Sequence, residues 1–285
     1  MTKVSVIMPV YNTKEDWLRE AIESILNQTF TDFEFIILDD KSTNNAIDVI
    51  NEYAQKDNRI KIIEGEHKGL ANALNKCIDE SKGEYIARMD ADDISLSNRL
   101  IEQVNYLDNN RDISIISSYY EKFPKTIIVK LPVHVTILDM FNSSPMCHPS
   151  VMMRRSDIKK YDLKYDEKYI VAQDYELWSR AVFHVKMANI DKVLLRYRVN
   201  ENGNYIKNKE IAERNVNKVK TKLLNKLTID REQQESILKY VLKKELTFIQ
   251  KIFSITNIKM IDFKIKMIKI VGLTFFVSIK GENNE

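Results

Sequence analysis

The sequence contains few of the residues that break or cross-link a chain. Its 285 residues include only six glycines, five prolines and two cysteines. So little glycine and proline argues against linkers and low-complexity tracts, and no internal repeat is visible. Apolar residues make up 44% of the chain, which lies within the globular range and excludes wholesale disorder. A chain of this length can form one large domain or two small ones with a substantial core.

Metal-type cysteine spacing and long apolar runs are also missing. Cys77 and Cys147 are too far apart to form a metal-ligand motif. Cys77 lies on the apolar side of a predicted helix, which indicates a buried, reduced thiol and a reducing compartment. The apolar run 4–10 is too short for a signal-peptide core and is predicted to be a strand. The sequence has no run of 18 consecutive apolar residues, so no membrane-spanning helix is predicted. We therefore expect a cytoplasmic protein, free or peripheral on the inner face of the cytoplasmic membrane.

Positive charge is concentrated in the last part of the chain. From Ile206 onwards there are 17 Lys+Arg against 9 Asp+Glu, so the preceding part is acidic. An acidic catalytic half favours a metal site over binding to nucleic acid. Between residues 251 and 270, lysines are interleaved with aliphatic side chains. Two interpretations are open for this segment. It is either a basic amphipathic surface for anionic lipid or a lipid-linked acceptor, or a segment packed on the catalytic domain.

The first hundred residues alternate short apolar runs with amphipathic stretches. Thr13 is predicted to cap the first helix, whose apolar face runs from Leu18 to Leu26. The pattern predicts strands at 4–8, 35–38, 60–63 and 84–89, and further helices at 46–54, 70–79 and 99–107. This alternation predicts an α/β fold with a mainly parallel sheet flanked by helices. Ligands bind beyond the carboxyl ends of such strands. Four loops are therefore expected around one crevice: 9–12, 39–43, 66–69 and 90–93.

Beyond residue 112 the pattern is mixed. It predicts strands at 113–119, 127–131, 150–154 and 193–197, a helix at 174–183, and a mostly helical, lysine-rich region after about Asn208. We expect an α/β domain over 1–205, divided near residue 110, and a basic, mostly helical region over 206–285.

Carboxylates cluster in the loops after two predicted strands. Asp90, Asp92 and Asp93 occur within four residues and repel one another unless a cation neutralises them. Mg²⁺ and Mn²⁺ favour carboxylate oxygens and bridge to diphosphates; the alternative is that Asp93 caps the next helix. Asp39 and Asp40 end the second strand, where an acid can accept hydrogen bonds from ribose or a base. An ordinary Asp/Ser turn is the alternative there.

Three further positions have a chemical and a structural interpretation. Lys68, in the loop after the third strand, can neutralise phosphate or be a solvated surface charge. Asp174, at the start of a helix, is either a general base or a cap. His148 precedes a strand and has either a functional or a purely structural role.

Taken together and in order, these segments resemble family 2 of the inverting glycosyltransferases, the bacterial surface-polysaccharide type with the GT-A fold. The segments that carry the resemblance are SVIMPVYN at 5–12, SILNQTF at 24–30, GEYIARMDADD at 83–93, HPSVM at 148–152 and DYELW at 174–178. The similarity extends over roughly residues 3–200.

The resemblance implies a catalytic domain over 1–205, with a nucleotide-sugar-binding half at 1–110 and an acceptor-binding half at 111–205, and a role for each matching position. Pro9, Tyr11, Asp39, Asp40 and Asp90 are expected to contact the nucleotide, with Lys68 beside the phosphates. Asp90 and Asp92 would bind Mn²⁺ or Mg²⁺, with Arg88 and Asp93 supporting the loop or the donor sugar. Asp174 would be the catalytic base, with His148 and Trp178 on the acceptor side. The sequence departs from the family at Lys41, Asn44, His67, Gln173 and Asn200, where Gly, Asp, Asn, Glu and His are common.

The implied reaction is a single in-line displacement with inversion. A nucleotide-diphosphate sugar, expected to be a UDP-sugar, would donate to a glycan or lipid-linked acceptor in lipopolysaccharide or capsule synthesis. A sugar-phosphate nucleotidyltransferase is one alternative, but residues 9–12 lack its glycine-rich basic loop. A non-catalytic sugar-binding or assembly subunit is another, and the joint presence of Asp90, Asp92 and Asp174 argues against it. No nucleic-acid partner is expected.

Overall fold

A computed structural model describes residues 2–200 and 203–226. The chain divides into two compact units, Met1–Asn215 and Val216–Glu285, and the sheet and the candidate site described below belong to the first. The predicted lipid-binding or packing segment, 251–270, lies outside the described residues.

The amino-terminal half has the predicted alternation of strands and helices. Its elements are β1 (Val4–Val10), α1 (Glu15–Leu26), β2 (Phe33–Asp39), α2 (Ala46–Lys56), β3 (Ile60–Glu64), α3 (Leu70–Glu80) and β4 (Tyr85–Arg88). The four strands are parallel in the order β3-β2-β1-β4, with Val4 opposite both Phe33 and Tyr85. Val4, Val6 and Met8 point into the main core with α1 and α2. Because side chains alternate along a strand, Ile7 points to the opposite face, and α3 also packs on β1.

The second half continues the sheet with strands of both directions. Its elements are β5 (Ile94–Ser95), α4 (Arg99–Asn109), β6 (Ile113–Phe123), β7 (Ile127–Val129), β8 (His134–Val135), β9 (Met152–Arg154), α5 (Arg155–Lys160), α6 (Gln173–Ala181), β10 (Lys186–Arg198), α7 (Asn204–Lys207) and α8 (Lys209–Lys226). Strand β9 pairs antiparallel with both β4 and β6, whereas β6 and β10 are parallel. The predicted α/β class is confirmed, and the sheet as a whole is mixed.

Two local predictions differ from the structure. Thr13 does not cap α1: the cap position is Lys14, and no side chain caps this helix. Glu15 and Asp16 in the first turn instead place negative charge at the positive end of the helix dipole. Strand β10 starts at Lys186 rather than at residue 193. Its register shifts between Ile190 and Val193, and this irregularity obscures the alternation expected of a strand.

A buried polar network fixes the end of β4, next to the acidic loop. The Arg99 guanidinium donates to the backbone oxygen of Arg88 at 2.6 Å and, through Nε, to Gln103 at 3.0 Å. Gln103 in turn donates to the backbone oxygen of Ser150 at 2.7 Å. Burial lowers the pKa of Arg99 to about 10, which still leaves it charged at neutral pH. Helix α4 therefore holds β4 and the segment before β9 in one arrangement.

Within the part of the chain that the structure describes, no helix is both long and apolar enough to cross a membrane.

Candidate active site

The acidic loop lies beyond the carboxyl end of β4. Asp90, Asp92 and Asp93 each place one carboxylate oxygen within 4.8 Å of the others. Asp93 is only 1% exposed, and its Oδ1 accepts the backbone N–H of Arg198 at 2.7 Å. Its Oδ2 is buried without a hydrogen-bond partner among the described residues. Asp93 does not cap α4, because β5 follows directly and the helix begins only at Arg99.

The electrostatics of this loop favour the binding of a cation. Burial and, after it, the neighbouring charge of Asp90 raise the pKa of Asp92 to about 6. Burial, Asp90 and Asp92 hold the pKa of Asp93 well above its usual range. Arg88, itself buried, donates to both oxygens of Asp90, with Nη1 2.8 Å from Oδ2. Three carboxylates beside one guanidinium leave a negative excess that is costly in a buried position.

The donor atoms of the loop fit Mg²⁺ or Mn²⁺. All three groups offer carboxylate oxygens, which these hard ions prefer, and among the described residues no His or Cys belongs to the cluster. The unpartnered Oδ2 of Asp93 is available, and the oxygens of Asp90 keep further lone pairs beyond those that Arg88 uses. The residues present therefore fit a divalent cation.

The two acids at the end of β2 have different surroundings. Both oxygens of Asp40 accept backbone N–H groups from the loop after β3, that of His67 at 2.7 Å and that of Gly69 at 3.3 Å. Asp39 accepts the N–H of Ser42 through Oδ2 at 3.2 Å, while its Oδ1 is buried without a described partner. Asp39 therefore has the free acceptor, and Asp40 ties two loops together.

Near these acids the backbone packs closely against the Asp40 side chain and adopts left-handed conformations. A Cβ on Gly65 would lie 2.4 Å from Oδ1 of Asp40, so only glycine fits there. Lys41 and His67 adopt φ of 61° and 57°. Lys41 has this positive φ although it stands where glycine is common in the family, and the conformation costs a non-glycine residue about 1–2 kcal/mol. The exposed ring of Tyr11 lies 4.6 Å from the ring of His67, at the open side of the same loops.

Two other predicted nucleotide contacts, Pro9 and Lys68, lie in or next to the same loops. Pro9 lies in β1 opposite Leu38 of β2, next to the loops of the crevice. Lys68 is exposed and forms an ion pair with Glu66 at 2.5 Å. Glu66 also pairs with Lys76.

Asp174 lies in the first turn of α6. The cap position is Ala172, in a left-handed conformation. The carboxylate of Asp174 accepts backbone N–H groups of the helix start, and Ser144 Oγ is 3.5 Å from its Oδ2, a weak contact. Burial raises its pKa, and the charge of Arg88 opposes this rise. Glu176, the other acid of the motif, is bound through both oxygens by Arg180, at 2.9–3.0 Å.

Tyr165 connects the acceptor-side residues to the acidic loop. Its hydroxyl lies 2.9 Å from Nε2 of His148, whose pKa burial holds well below its usual range. Burial raises the pKa of Tyr165; the charge of Arg88 opposes this rise, and the charges of Asp174 and Asp90 add to it. Trp178 is 0% exposed and packs edge-on to His148 with ring centroids 6.2 Å apart. In this structure the buried ring of Trp178 therefore supports His148, and its place on the acceptor side stays a prediction.

Sequence reasoning missed Tyr165 and Arg198. Tyr165 lies in an irregular segment between α5 and α6, without periodicity to indicate its burial. Arg198 Nε donates to the backbone oxygen of Asp92 at 2.7 Å, a contact across 106 residues. Neither residue type nor local pattern signals these contacts, although the acidic loop itself implies that a cation lies nearby.

A parallel sheet ending in acidic loops and continued by a mixed half is the architecture of GT-A glycosyltransferases, as solved structures confirm. The chain superimposes on Staphylococcus aureus TarS (residues 1–349, with UDP-GlcNAc) with a TM-score of 0.70 at 19% identity, covering 86% of this chain and 73% of that one. The mannosyltransferase PcManGT of Pyrobaculum calidifontis, in complex with GDP-Man and Mn²⁺, gives 0.63 at 17% identity, covering 78% and 64%.

Within that class, residues 5–172 match the family described as Glycosyl transferase family 2, and the chain belongs to it. It is therefore an enzyme, a glycosyltransferase, and not a sugar-phosphate nucleotidyltransferase. A glycosyltransferase of Methanocaldococcus jannaschii is 40% identical over 221 residues, 71% of this chain and 73% of the relative. The Escherichia coli glucosyltransferase WfaP, named for UDP-Glc and α-D-GlcNAc-diphosphoundecaprenol, is 32% identical over 203 residues, covering 70% and 78%.

Proposed function

We propose that this enzyme transfers a sugar from a UDP-sugar to a glycan or lipid-linked acceptor, with inversion, in the synthesis of a cell-surface polysaccharide such as lipopolysaccharide or capsule. The observation that carries the proposal is the cluster of Asp90, Asp92 and Asp93 beyond β4, within 4.8 Å of one another, together with the separate carboxylate of Asp174 in α6. A direct displacement requires positive charge at the leaving diphosphate, which such a cluster can hold as a cation, and a general base at the attacking hydroxyl.

On the donor side, the nucleotide would lie over the loops after β1, β2 and β3. Tyr11 offers an exposed ring for stacking, and the free Oδ1 of Asp39 can accept an N–H or O–H from base or ribose. Pro9 would line the same pocket. Asp40 would shape the pocket by holding its loop, with Lys68 near the phosphates. A uracil nucleotide is supported by the UDP-GlcNAc complex of TarS and by the UDP-Glc in the name of WfaP.

Asp90, Asp92 and Asp93 would hold Mn²⁺ or Mg²⁺, as the Mn²⁺ complex of PcManGT supports. When bound, the cation supplies charge neutralisation for the departing diphosphate. Arg88 would keep Asp90 oriented and add a second positive charge at the same place. Asp93 is buried and Asp90 and Asp92 are half-buried, so these charges would act in a setting of lower dielectric constant than open water.

On the acceptor side, Asp174 would deprotonate the attacking hydroxyl. Its raised pKa makes it a stronger base than an exposed Asp, and the backbone N–H groups of α6 orient it. The pair of His148 and Tyr165 would line the approach, with Trp178 packed behind it. We propose the corresponding division into a nucleotide-sugar half at 1–110, an acceptor half at 111–205 and a basic region at 206–285. The diphosphoundecaprenol in the name of WfaP supports a lipid-linked acceptor and peripheral membrane attachment.

A donor screen tests this proposal. Nucleotide sugars with UDP, GDP and other nucleotides are incubated with enzyme and Mn²⁺, and release of the nucleoside diphosphate is measured. We expect release from a UDP-sugar, most of it lost in D92N and in excess EDTA. The anomeric configuration of the product, read by NMR, is expected to be inverted. Full activity in EDTA would remove the metal from the mechanism, and exclusive use of a GDP-sugar would overturn the nucleotide assignment.

A further inference from the structure

Arg198, the last residue of β10, makes several contacts around the acidic loop. Its Nε donates to the backbone oxygen of Asp92 at 2.7 Å, and its backbone N–H donates to Oδ1 of Asp93 at 2.7 Å. The far end of its guanidinium forms an ion pair with Glu20 of α1. The side chain is only 13% exposed.

Two aromatic rings enclose this guanidinium. Its central carbon lies 5.0 Å from the ring centre of Trp17 and 4.5 Å from that of Phe123. Stacking on the two rings restrains the plane of the guanidinium. The N–H groups of Arg198 therefore point in fixed directions towards their partners. Because Trp17 and Glu20 lie on α1 and Phe123 ends β6, Arg198 connects the loop to two rigid elements.

The contact with Asp92 acts on the peptide that links two carboxylates. A hydrogen bond to the backbone oxygen of Asp92 restrains rotation of the Asp92–Asp93 peptide, and thereby the direction in which both side chains leave the chain. Of the other contacts of the loop, the ion pair of Arg88 fixes only Asp90. We infer that Arg198 is a positioning residue that holds the Asp92–Asp93 peptide in the orientation needed to bind a divalent cation. This inference rests on the metal site of the proposed function.

Substitutions of Arg198 can separate its hydrogen bond from its charge and its bulk. In R198M the apolar stem still packs between Trp17 and Phe123, but there is no donor. In R198Q the amide nitrogen occupies the position of Arg Nε and can still donate to Asp92, without the positive charge or the contact with Glu20. In R198K the charge is retained and the donor is displaced by one bond. The backbone N–H of residue 198 remains next to Asp93 in all three variants.

Arg196 provides a matched control on the same strand. It lies two residues before Arg198 and therefore on the same face. Its guanidinium stacks on the same Phe123 at 4.6 Å and pairs with Glu121 at 3.4 Å. No contact with the acidic loop is described for it. R196M thus removes a stacked, ion-paired arginine without touching the Asp92–Asp93 peptide.

The measurement is the dissociation constant of Mn²⁺ in the presence of UDP, followed by electron paramagnetic resonance of free Mn²⁺, with thermal unfolding of each variant as a check of folding. Loss of a residue that orients metal ligands typically weakens metal binding by about 10–100-fold, and we expect this for R198M. R198Q should recover most of the affinity, and R196M should match the wild type. The Mn²⁺ concentration that half-saturates transfer should rise in parallel for R198M.

Each other outcome contradicts a particular step. Wild-type affinity in folded R198M would overturn the inference and leave the proposed function intact. Equal weakening in R198M and R198Q, with normal binding in R198K, would replace positioning by a simple charge effect. Weakening in R196M equal to that in R198M would show that the effect comes from strand packing. Absence of Mn²⁺ binding by the wild type would overturn the proposed metal site and this inference together.

Discussion

At the scale of single residues, the two acids of α6 are distinguished by their partners. Asp174 and Glu176 are two positions apart, which separates them by roughly 200° around a helix, so they face different surroundings. Arg180 binds Glu176 through both oxygens, whereas the contacts described for Asp174 are with backbone N–H groups and, weakly, with Ser144. Glu176 is also only 3% exposed, so an acceptor hydroxyl has no direct access to its carboxylate. This geometry favours Asp174 as the base.

D174N should lower transfer by about 10²–10⁴-fold, the usual contribution of a positioned base. Donor affinity should change little, because the nucleotide loops belong to other elements. Steady-state kinetics and UDP binding by calorimetry measure the two quantities. E176Q is the matched control: it should lower stability by weakening the bond to Arg180, with much less effect on the chemical step of the folded enzyme. Near-normal transfer by D174N would remove Asp174 from the mechanism.

At the scale of elements, the loops after β2 and β3 behave as one unit. Asp40 accepts N–H groups from the β3–α3 loop, and Gly65 has no Cβ because Asp40 occupies that space. The pocket is thus built by contacts between loops, and Asp39 is left with an acceptor facing no described partner. Substitutions of Asp39 and of Asp40 are therefore expected to have different effects on nucleotide binding and on stability.

D39N should weaken UDP binding by about 10-fold or more with a small change in stability, since a hydrogen bond to a charged group contributes roughly 1.5–3 kcal/mol. D40N should lower the free energy of unfolding by about 1–3 kcal/mol, because an amide cannot accept both loop N–H groups. Calorimetry with UDP and urea unfolding test the pair. A large stability loss in D39N with none in D40N would reverse these two roles.

At the scale of the whole molecule, His148 makes stability depend on pH. Its pKa is lowered by burial, so the neutral form is favoured in the folded protein. This stabilisation is fully present above the unfolded pKa of 6.5 and is lost as the pH falls through that value towards the lower folded pKa. Asp92 and Asp174, with raised pKa values, act in the opposite direction at lower pH, and comparison with a His148 variant cancels their effect.

H148Q remains neutral at all pH values and keeps a polar group near Tyr165. Between pH 7.5 and 5.5, the wild type should lose about 1 kcal/mol more of its unfolding free energy than H148Q, since each pH unit below the unfolded pKa costs up to about 1.4 kcal/mol. Urea titrations at the two pH values measure this difference. Parallel losses in both proteins would show that His148 is not the group responsible.

The basic carboxy-terminal region carries a separate prediction. From Ile206 the chain has an excess of positive charge, and lysines accompany aliphatic residues between 251 and 270. If this region contacts anionic lipid, replacement of Lys251, Lys259, Lys264, Lys266 and Lys269 by Gln should reduce sedimentation with phosphatidylglycerol vesicles. Each lysine near such a surface contributes about 1 kcal/mol. Donor hydrolysis should persist. Unchanged vesicle binding would favour the alternative, in which this segment packs on the catalytic domain.

The sequence by itself determined the alternation of elements and the placing of acids at strand ends. Both follow from short-range patterns: apolar periods of two or 3.6 residues, and polar residues where strands stop. The acidic loop at 90–93 and the acids at 39 and 40 were predicted in this way. Their position beyond the strands was predictable because parallel strands end at one edge of a sheet.

Only the tertiary structure decided which of these acids are free and which are bound. Asp40 is held by residues 27 and 29 positions away, and the Asp92 backbone by Arg198, 106 positions away. The burial of Trp178 and the contact of Tyr165 with His148 likewise depend on how separate segments pack. Such contacts leave no local period in the chain, because they arise only when the sheet brings distant segments together.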